Sequence, residues 1–316
     1  MVASIRLFDP TTEIQMLVAF LASVSREPSS EEAVRATLTA EVQLRRLTVI
    51  TGADNALIGY CSVTRLHSAP PGQATVWIAT HPQHRQRGIA TTLYRDTCAF
   101  LQTHQIHELR TRIEDDDQAS FAFARRRGFA VDRHLFRSTL NLQTFDSTPF
   151  QSAVQQAQAH KIIFATLAEL GDTPQNRRRV YELNKVTAAD IPGRGPFFSF
   201  EEYQQSRFEH PSYRASGVIL AIYDQQWVGL KQVSIHSKEG FAFDEMTGVL
   251  RDYRGQQIAQ ALKVFAIKYA QSQQLPILRT FNDSANLPML AINRKLGYQL
   301  ETGFYFMRAE LEKNSE

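Results

Sequence analysis

The chain has 316 residues, 43% hydrophobic and 21% charged, with a formal net charge of +3. That length accommodates two domains of roughly 150 residues, each with its own core, and the small charge carries no signature of a nucleic-acid binder. Cys61 and Cys98 exclude a disulfide framework, no apolar run reaches the roughly 18 residues of a membrane span, and the N-terminus lacks a signal-peptide pattern. A cytoplasmic protein is expected.

In chain order, Ser4 to Phe8 reads as a short strand, followed by helical patterns around residues 11–24 and 30–44. Leu47 to Thr51, Ala56 to Thr64 and Ala74 to Thr80 read as an antiparallel meander, with turns at Asp54-Asn55 and Pro70-Pro71-Gly72. From Gly88 the period becomes helical, with Ile89, Leu93 and Phe100 on one stripe. Glu108 to Ile113 follows as a strand, and Asp117 N-caps a helix that ends at Gly128.

The Gln-, Ser- and Ala-rich residues 143–160 read as a linker carrying a short helix. Beyond it, Ile162 to Leu167 is the next strand, and helices are expected near Gln175 to Leu183 and Phe200 to Phe208. Ile258, Leu262, Phe265 and Tyr269 form a second helical stripe. Pro276 to Phe281 is then a strand, and Asn286 caps a helix ending at Gly297.

The two halves repeat one another. Arg85-Gln86-Arg87-Gly88-Ile89-Ala90 returns as Arg254-Gly255-Gln256-Gln257-Ile258-Ala259, 169 residues later. The same offset carries Leu109-Arg110-Thr111 onto Leu278-Arg279-Thr280, and Arg125 to Phe129 onto Arg294 to Tyr298. The chain therefore divides into a domain of residues 1–142, a linker of 143–160 and a domain of 161–316. Each domain is α/β (α+β), a mixed and mostly antiparallel sheet flanked by helices.

The repeated segment has the chemistry of an anion site. A strand ends at Thr80, and a short basic loop leads into a helix whose first amides have no intrahelical acceptor. Arg85 and Arg87 add positive charge, Gly88 lets a bulky anion approach the backbone, and Ile89 anchors the turn in the core. In the second copy Gln257 stands where Gly88 stood, while Arg254, Gly255, Ile258 and Ala259 are retained.

In this region the sequence resembles the GNAT (GCN5-related N-acetyltransferase) superfamily of acyl-CoA N-acyltransferases. Arg85, Gly88 and Ala90 match its loop signature, and the resemblance spans nearly the whole chain as two tandem domains. It implies that acetyl-CoA is the co-substrate, with its pyrophosphate on the loop amides. The strand Trp77-Ile78-Ala79 would splay from its neighbour and meet the pantetheine arm. Around Gln86, Arg87, Ile89 and Ala90 the first copy keeps the whole coenzyme motif.

The second copy resembles a GNAT subgroup in Thr247-Gly248-Val249, Thr280, Asn282, Asn286, Met289, Asn293 and Leu296-Gly297. Mycothiol synthase-like proteins share this tandem layout, which implies that the C-terminal copy performs the transfer. Thr247, Gly248, Val249, Arg254, Gly255, Gln257, Ala259 and Asn286 are then its coenzyme-binding candidates.

Acyl transfer to an amine requires that the amine lose a proton and that charge developing on the acyl oxygen meet donors. A Tyr serves many family members as acid, but its position holds Ala124 and Asn293 here. Glu245, read as alternating with Phe243 and Thr247 on one strand face, is the candidate general base, and Asn293 completes the catalytic pair. The first copy offers no carboxylate on the matching strand face.

Cys98 lies among apolar neighbours and reads as core. His104, His107 and Asp115-Asp116-Asp117 lack the partners of a metal site, so no metal is expected. The expected activity is acetyl transfer (EC 2.3.1.-) to a small-molecule amine by direct attack in a ternary complex. The competing reading is a non-catalytic coenzyme A-binding or sensor protein. No nucleic-acid or membrane partner is expected, and Pro192-Gly193-Arg194-Gly195-Pro196 reads as an ordered loop beside the second cleft.

Overall fold

The computed structural model describes residues 5–25, 30–67, 69–191 and 197–311, so the Pro192–Pro196 loop lies outside the described residues. The chain forms two compact units, Met1–Asp132 together with Tyr305–Glu316, and Arg133–Phe304.

The first unit contains β1 (Ile5–Leu7), α1 (Ile14–Val24), α2 (Glu31–Thr39), β2 (Leu44–Thr51), β3 (Leu57–Arg65), β4 (Gln73–Thr80), α3 (Ile89–Gln102), β5 (Glu108–Glu114) and α4 (Gln118–Arg125). Strands β1 to β4 pair in sequence order and antiparallel, and β5 joins β4 in parallel. Ile89, Leu93 and Leu101 drive α3 into a core with Cys61, Val63, Val76 and Leu109. α1 covers the other face through Ile14, Leu17 and Phe20, packed with Val49 and Tyr60. Burial pushes the Cys61 thiol up to about 11 and that of Cys98 upward as well, so both are inert thiols near neutral pH.

The long strand β6 (Ala130–Asn141) leads into α5 (Gln151–Ala159), β7 (Ile163–Thr166), α6 (Leu167–Leu170), α7 (Pro174–Ala188) and α8 (Phe200–Tyr203). A π-helical turn, Gln204–Phe208, follows α8. Then come β8 (Val218–Tyr223), β9 (Gln226–His236), β10 (Phe241–Val249), α9 (Ile258–Ser272), β11 (Ile277–Asp283), α10 (Leu287–Lys295) and β12 (Gln299–Glu310). β7 to β10 form the second meander, β11 joins β10 in parallel, and β6 pairs antiparallel with β11. Ile258, Leu262, Ala266 and Ile267 of α9 fill the core beneath it.

The repeat is visible in local geometry. Asp117 and Asn286 each accept a backbone hydrogen bond as N-caps, at 3.0 and 3.3 Å. Gly128 and Gly297 close the two helices at φ +81 and +86.

The contacts divide the chain elsewhere than at the expected boundaries 142 and 161. Arg133–Asn141 belongs to the second unit because β11 takes its ladder bonds. Residues 143–160 are no free linker, since Ala157 of α5 is buried in the second unit's core. The end of β12 belongs to the first unit, where Met307 and Ala309 pack beside Leu109 and Ile113, and the amide of Leu311 donates to the carbonyl of His107 at 2.8 Å. Among the described residues no helix is long and apolar enough to cross a membrane.

Candidate functional site

Each unit has a cleft where its parallel ladder stops, so both are opened by the same backbone device. The β4–β5 ladder runs only over Gln73–Thr75 against Glu108–Arg110, and then the strands part. The β10–β11 ladder stops in the same way after Phe241–Phe243 against Ile277–Arg279. Past these pairs neither ladder continues among the described residues; Thr280 Oγ1 donates to the Asp244 carbonyl at 2.9 Å, and the backbone beyond can hydrogen-bond an extended ligand.

In the first unit β4 passes through a short turn, Pro82–His84, into a loop with two left-handed residues, Gln86 at φ +60 and Gly88 at φ +81. The first intrahelical bond of α3 runs from the Thr92 amide to the Gly88 carbonyl at 2.9 Å. The preceding amides of the first turn remain available to an anion, as helix geometry requires. A Cβ built on Gly88 would meet nothing within 4 Å, so the loop faces open space. The cleft has a volume of about 620 Å³, and Trp77, Ile78, Ala79, Arg85, Gln86, Gly88, Ile89 and Ala90 line it. Arg87, expected at the site, is exposed and is not among the residues that line the cleft. Glu114, from β5, lines the cleft as well. The first cleft therefore does have a carboxylate, supplied from β5 and not from β4.

The second cleft, about 410 Å³, is lined by Thr247, Gly248, Val249, Arg254, Gly255, Gln257, Ala259 and Asn286. Its loop repeats the two left-handed positions with the residue types exchanged: Gly255 at φ +78 comes first and Gln257 at φ +62 second. Gly248 has a packing duty, because a Cβ there would stand 2.3 Å from Thr187 Oγ1 on α7. Asn286 is occupied as the cap of α10 through Met289.

The two catalytic candidates sit outside this lining. The β9–β10 register shifts between Asp244 and Met246, which makes Glu245 the extra residue of a β-bulge. The regular alternation expected for Phe243, Glu245 and Thr247 is thus broken, and the bulge re-aims the carboxylate. Glu245 Oε1 accepts from Ser234 Oγ at 2.7 Å, and Oε2 pairs with Arg207 of the π-helical turn. Asn293 is buried, and its Nδ2 donates to Asn282 Oδ1 at 2.6 Å. The structure does not bring Glu245 and Asn293 into contact with each other.

The acetyltransferase (GNAT) family profile matches residues 14–129 and 180–298. The chain belongs to the GNAT family. It is 23% identical over 253 residues to a mycothiol acetyltransferase of Pseudarthrobacter chlorophenolicus, covering 78% of this chain and 72% of the relative. Its fold is shared with a GCN5-related N-acetyltransferase from Sphaerobacter thermophilus (TM-score 0.70, 17% identity, 98% and 96% of the two chains). A tandem GNAT protein from the clavulanic acid biosynthesis pathway is similar at TM-score 0.68 and 17% identity, over 99% of each chain. Tandem GNAT folds account for the duplicated cleft; at these identities the structural likenesses speak of fold alone.

Several polar groups of this GNAT protein escaped the sequence reading. Asp244, on the strand that carries Glu245, is buried between two lysines. Its carboxylate pairs with Lys231 Nζ, stands 2.5 Å from Lys263 Nζ and accepts from Tyr298 Oη at 2.8 Å. Burial pushes Lys263 down to about 7 and Lys231 well below its ordinary value; Lys263 repels Lys231 further, and Glu245 attracts it. Lys231 Nζ also donates to the Met246 carbonyl at 3.1 Å, which ties the charge cluster to the bulge. The repeat held a signal: the register that sets Thr247 opposite Lys231 sets Ile78 opposite Cys61. A lysine at a position that is a buried cysteine in the other copy marks a special core.

Arginines of the runs Arg125–Arg127 and Arg177–Arg179 lie over aromatic rings. Arg127 stacks on Phe123 at 3.4 Å, and Arg179 lies over Trp227 at 3.9 Å. Their aromatic partners come from elsewhere in the fold or from the preceding turn, so spacing within the run did not reveal them.

Proposed function

We propose that the protein is an acetyl-CoA-dependent N-acetyltransferase acting on a small-molecule amine by direct attack in a ternary complex. The observation that carries this reading is the splayed strand leading into a left-handed loop and a helix start, present in both units. That geometry suits a ligand with an extended amide-bearing arm and a pyrophosphate. Bound acetyl-CoA supplies the thioester acyl group. Arg85 and the first-turn amides of α3 would hold its phosphates in one unit, and Arg254 with those of α9 in the other. The splayed ends of β4 and β10 offer donors and acceptors to its arm.

Transfer is assigned to the second unit. Glu245, held by Ser234, accepts the proton of the attacking amine directly or through one water, and releases part of its pairing with Arg207 as it does so. Asn293 lies at the position where many family members carry a tyrosine acid, and an amide cannot give up a proton there. The departing sulfur must therefore be protonated from solvent or leave as thiolate.

A non-catalytic coenzyme A sensor is the second reading, favoured by Ala124 and Asn293 at that position and by the Arg207 clamp on Glu245. Thiol release from acetyl-CoA across a panel of amines separates the two. Amine-dependent release that falls in Glu245→Gln supports transfer. Tight coenzyme A binding with no release above the hydrolytic background supports the sensor. No binding at either cleft sinks both.

A further inference from the structure

We propose that Asp190 is a built-in counter-anion of the second cleft, occupying the arginines that a ligand's phosphate needs and so setting that cleft's anion affinity below that of the first. This rests on the reading of both clefts as pyrophosphate sites. It names the residue that makes them unequal.

Asp190 follows the C-terminal end of α7 and lines the second cleft together with Arg254, Gly255 and Gln257. One of its carboxylate oxygens pairs with Arg251 Nη2 and the other with Arg254 Nη2. Arg254 is held further by a 3.1 Å bond from its Nε to the carbonyl of Val249, the last residue of β10. The guanidinium that follows the strand is thus already engaged on the carboxylate side. The two arginines, Arg251 first, hold the Asp190 carboxyl down to about 2, so it is ionised at neutral pH.

Among the described residues the first unit shows no such arrangement. The Arg85 guanidinium has no hydrogen-bond or ion-pair partner among the described residues, its backbone amide alone bonding to the Pro82 carbonyl, and the cleft-lining residue at the end of α1 is Val24. A pyrophosphate arriving there meets an uncommitted arginine. At the second cleft it must take Arg254 from Asp190 and then sit beside a carboxylate. Like charges a few ångströms apart lie within the ~8 Å screening length of physiological salt, so the repulsion is felt. The pairs are solvent-exposed and individually weak, and the expected effect is correspondingly about tenfold in affinity.

The test uses the full chain carrying Gly88→Glu, which closes the first cleft, with and without Asp190→Asn. Inorganic pyrophosphate and coenzyme A are titrated separately by calorimetry at low and at 0.5 M salt, and the melting temperature of each variant verifies folding. The proposal expects Asp190→Asn to tighten pyrophosphate about tenfold at low salt, with the gain shrinking at high salt. It expects Arg254→Met to abolish the gain. Equal or weaker binding of pyrophosphate in a folded Asp190→Asn variant would overturn it and make Asp190 a structural strut. Asp190→Ser serves as the second variant if the asparagine one melts early. Tighter pyrophosphate with no coenzyme A binding in any variant keeps the counter-anion and rejects the coenzyme reading. Coenzyme A binding unchanged by Asp190→Asn, alongside unchanged pyrophosphate, does the reverse. Undetectable pyrophosphate in every variant overturns the proposal.

Discussion

The two clefts share a backbone and differ in what their side chains leave free. In the first, a glycine occupies the second left-handed position, the Arg85 guanidinium has no partner among the described residues, and a volume of about 620 Å³ lies open. In the second, a glutamine takes that position, the arginine is committed to Asp190, and about 410 Å³ remains. Polar furniture runs the opposite way. The second unit holds Glu245 on a bulge, buttressed by Ser234, Arg207 and a buried lysine–aspartate–lysine cluster, where the first has Cys61 bonded to Thr97. After a duplication, each copy can lose what the other retains. The pair is consistent with a division between holding a coenzyme and using it.

The largest expected effect breaks the comparison at the first cleft. Gly88→Glu puts a side chain into open space at φ +81 and a carboxylate beside the helix amides. Strain, bulk and like charge act together, and coenzyme A affinity at that cleft should fall by ~100-fold or more. Calorimetry that finds the tighter site unchanged in this variant would show that the loop does not hold the phosphate. Of comparable size is Glu245→Gln, for which loss of a positioned base predicts a fall in kcat of about 100-fold. Unchanged turnover on an amine identified in the panel would move the chemistry elsewhere, with Glu114 of the first cleft as the next candidate.

Much of this was legible in the sequence because it is local. Helix caps at Asp117 and Asn286, terminal glycines at 128 and 297, and the repeated loop all act within a few residues, and the structure has each of them. Of the coenzyme-binding candidates all but Arg87 line the clefts, whereas the catalytic candidates Glu245 and Asn293 do not. What stayed hidden is long-range. Nothing in β6 or β12 says which unit will take its hydrogen bonds, and both depart from the expected boundaries. A bulge is a difference of register between two strands, so it cannot be read from one of them. Asp190 meets Arg251 and Arg254 across more than 60 positions of chain, and each of the three looks like an ordinary surface charge on its own.

The charge cluster offers a stability test of the asymmetry. Lys263 has a folded pKa near 7 against an ordinary 10.5, so the unfolded chain binds the extra proton over that interval. The penalty is complete below about pH 7 and is relieved as pH rises toward 10.5. Lys263→Met removes it while Asp244 keeps Lys231, Tyr298 and, through its carbonyl, Thr280 as partners. The variant should be more stable than the parent by ~2 kcal/mol at pH 6, with the gap closing toward pH 9. Urea melts at the two pH values check it. A destabilised variant at pH 6 would mean that the second ammonium is held by more than desolvation allows. The corresponding Tyr94→Phe in the first unit should show no such pH dependence below pH 9.

The smallest effect probes the exchanged left-handed positions themselves. Gln86 and Gln257 sit at nearly equal φ, +60 and +62, so each carries the steric cost of a Cβ in that region, about 1–2 kcal/mol. Replacing either with glycine removes that cost but frees the unfolded chain by about 0.4–1 kcal/mol. Each single variant should therefore gain only ~0.5–1 kcal/mol, and the two gains should match. Ligand binding should separate what stability does not. Gln257 occupies the place that Gly88 leaves open beside the helix amides, whereas Gln86 occupies the earlier position held in the other unit by Gly255. Gln257→Gly should therefore tighten coenzyme A at the second cleft by about fivefold, while Gln86→Gly leaves the first within about twofold. Equal changes at both clefts would mean that the glutamine at the second position does not obstruct the phosphate, leaving Asp190 as the sole source of the difference in anion affinity.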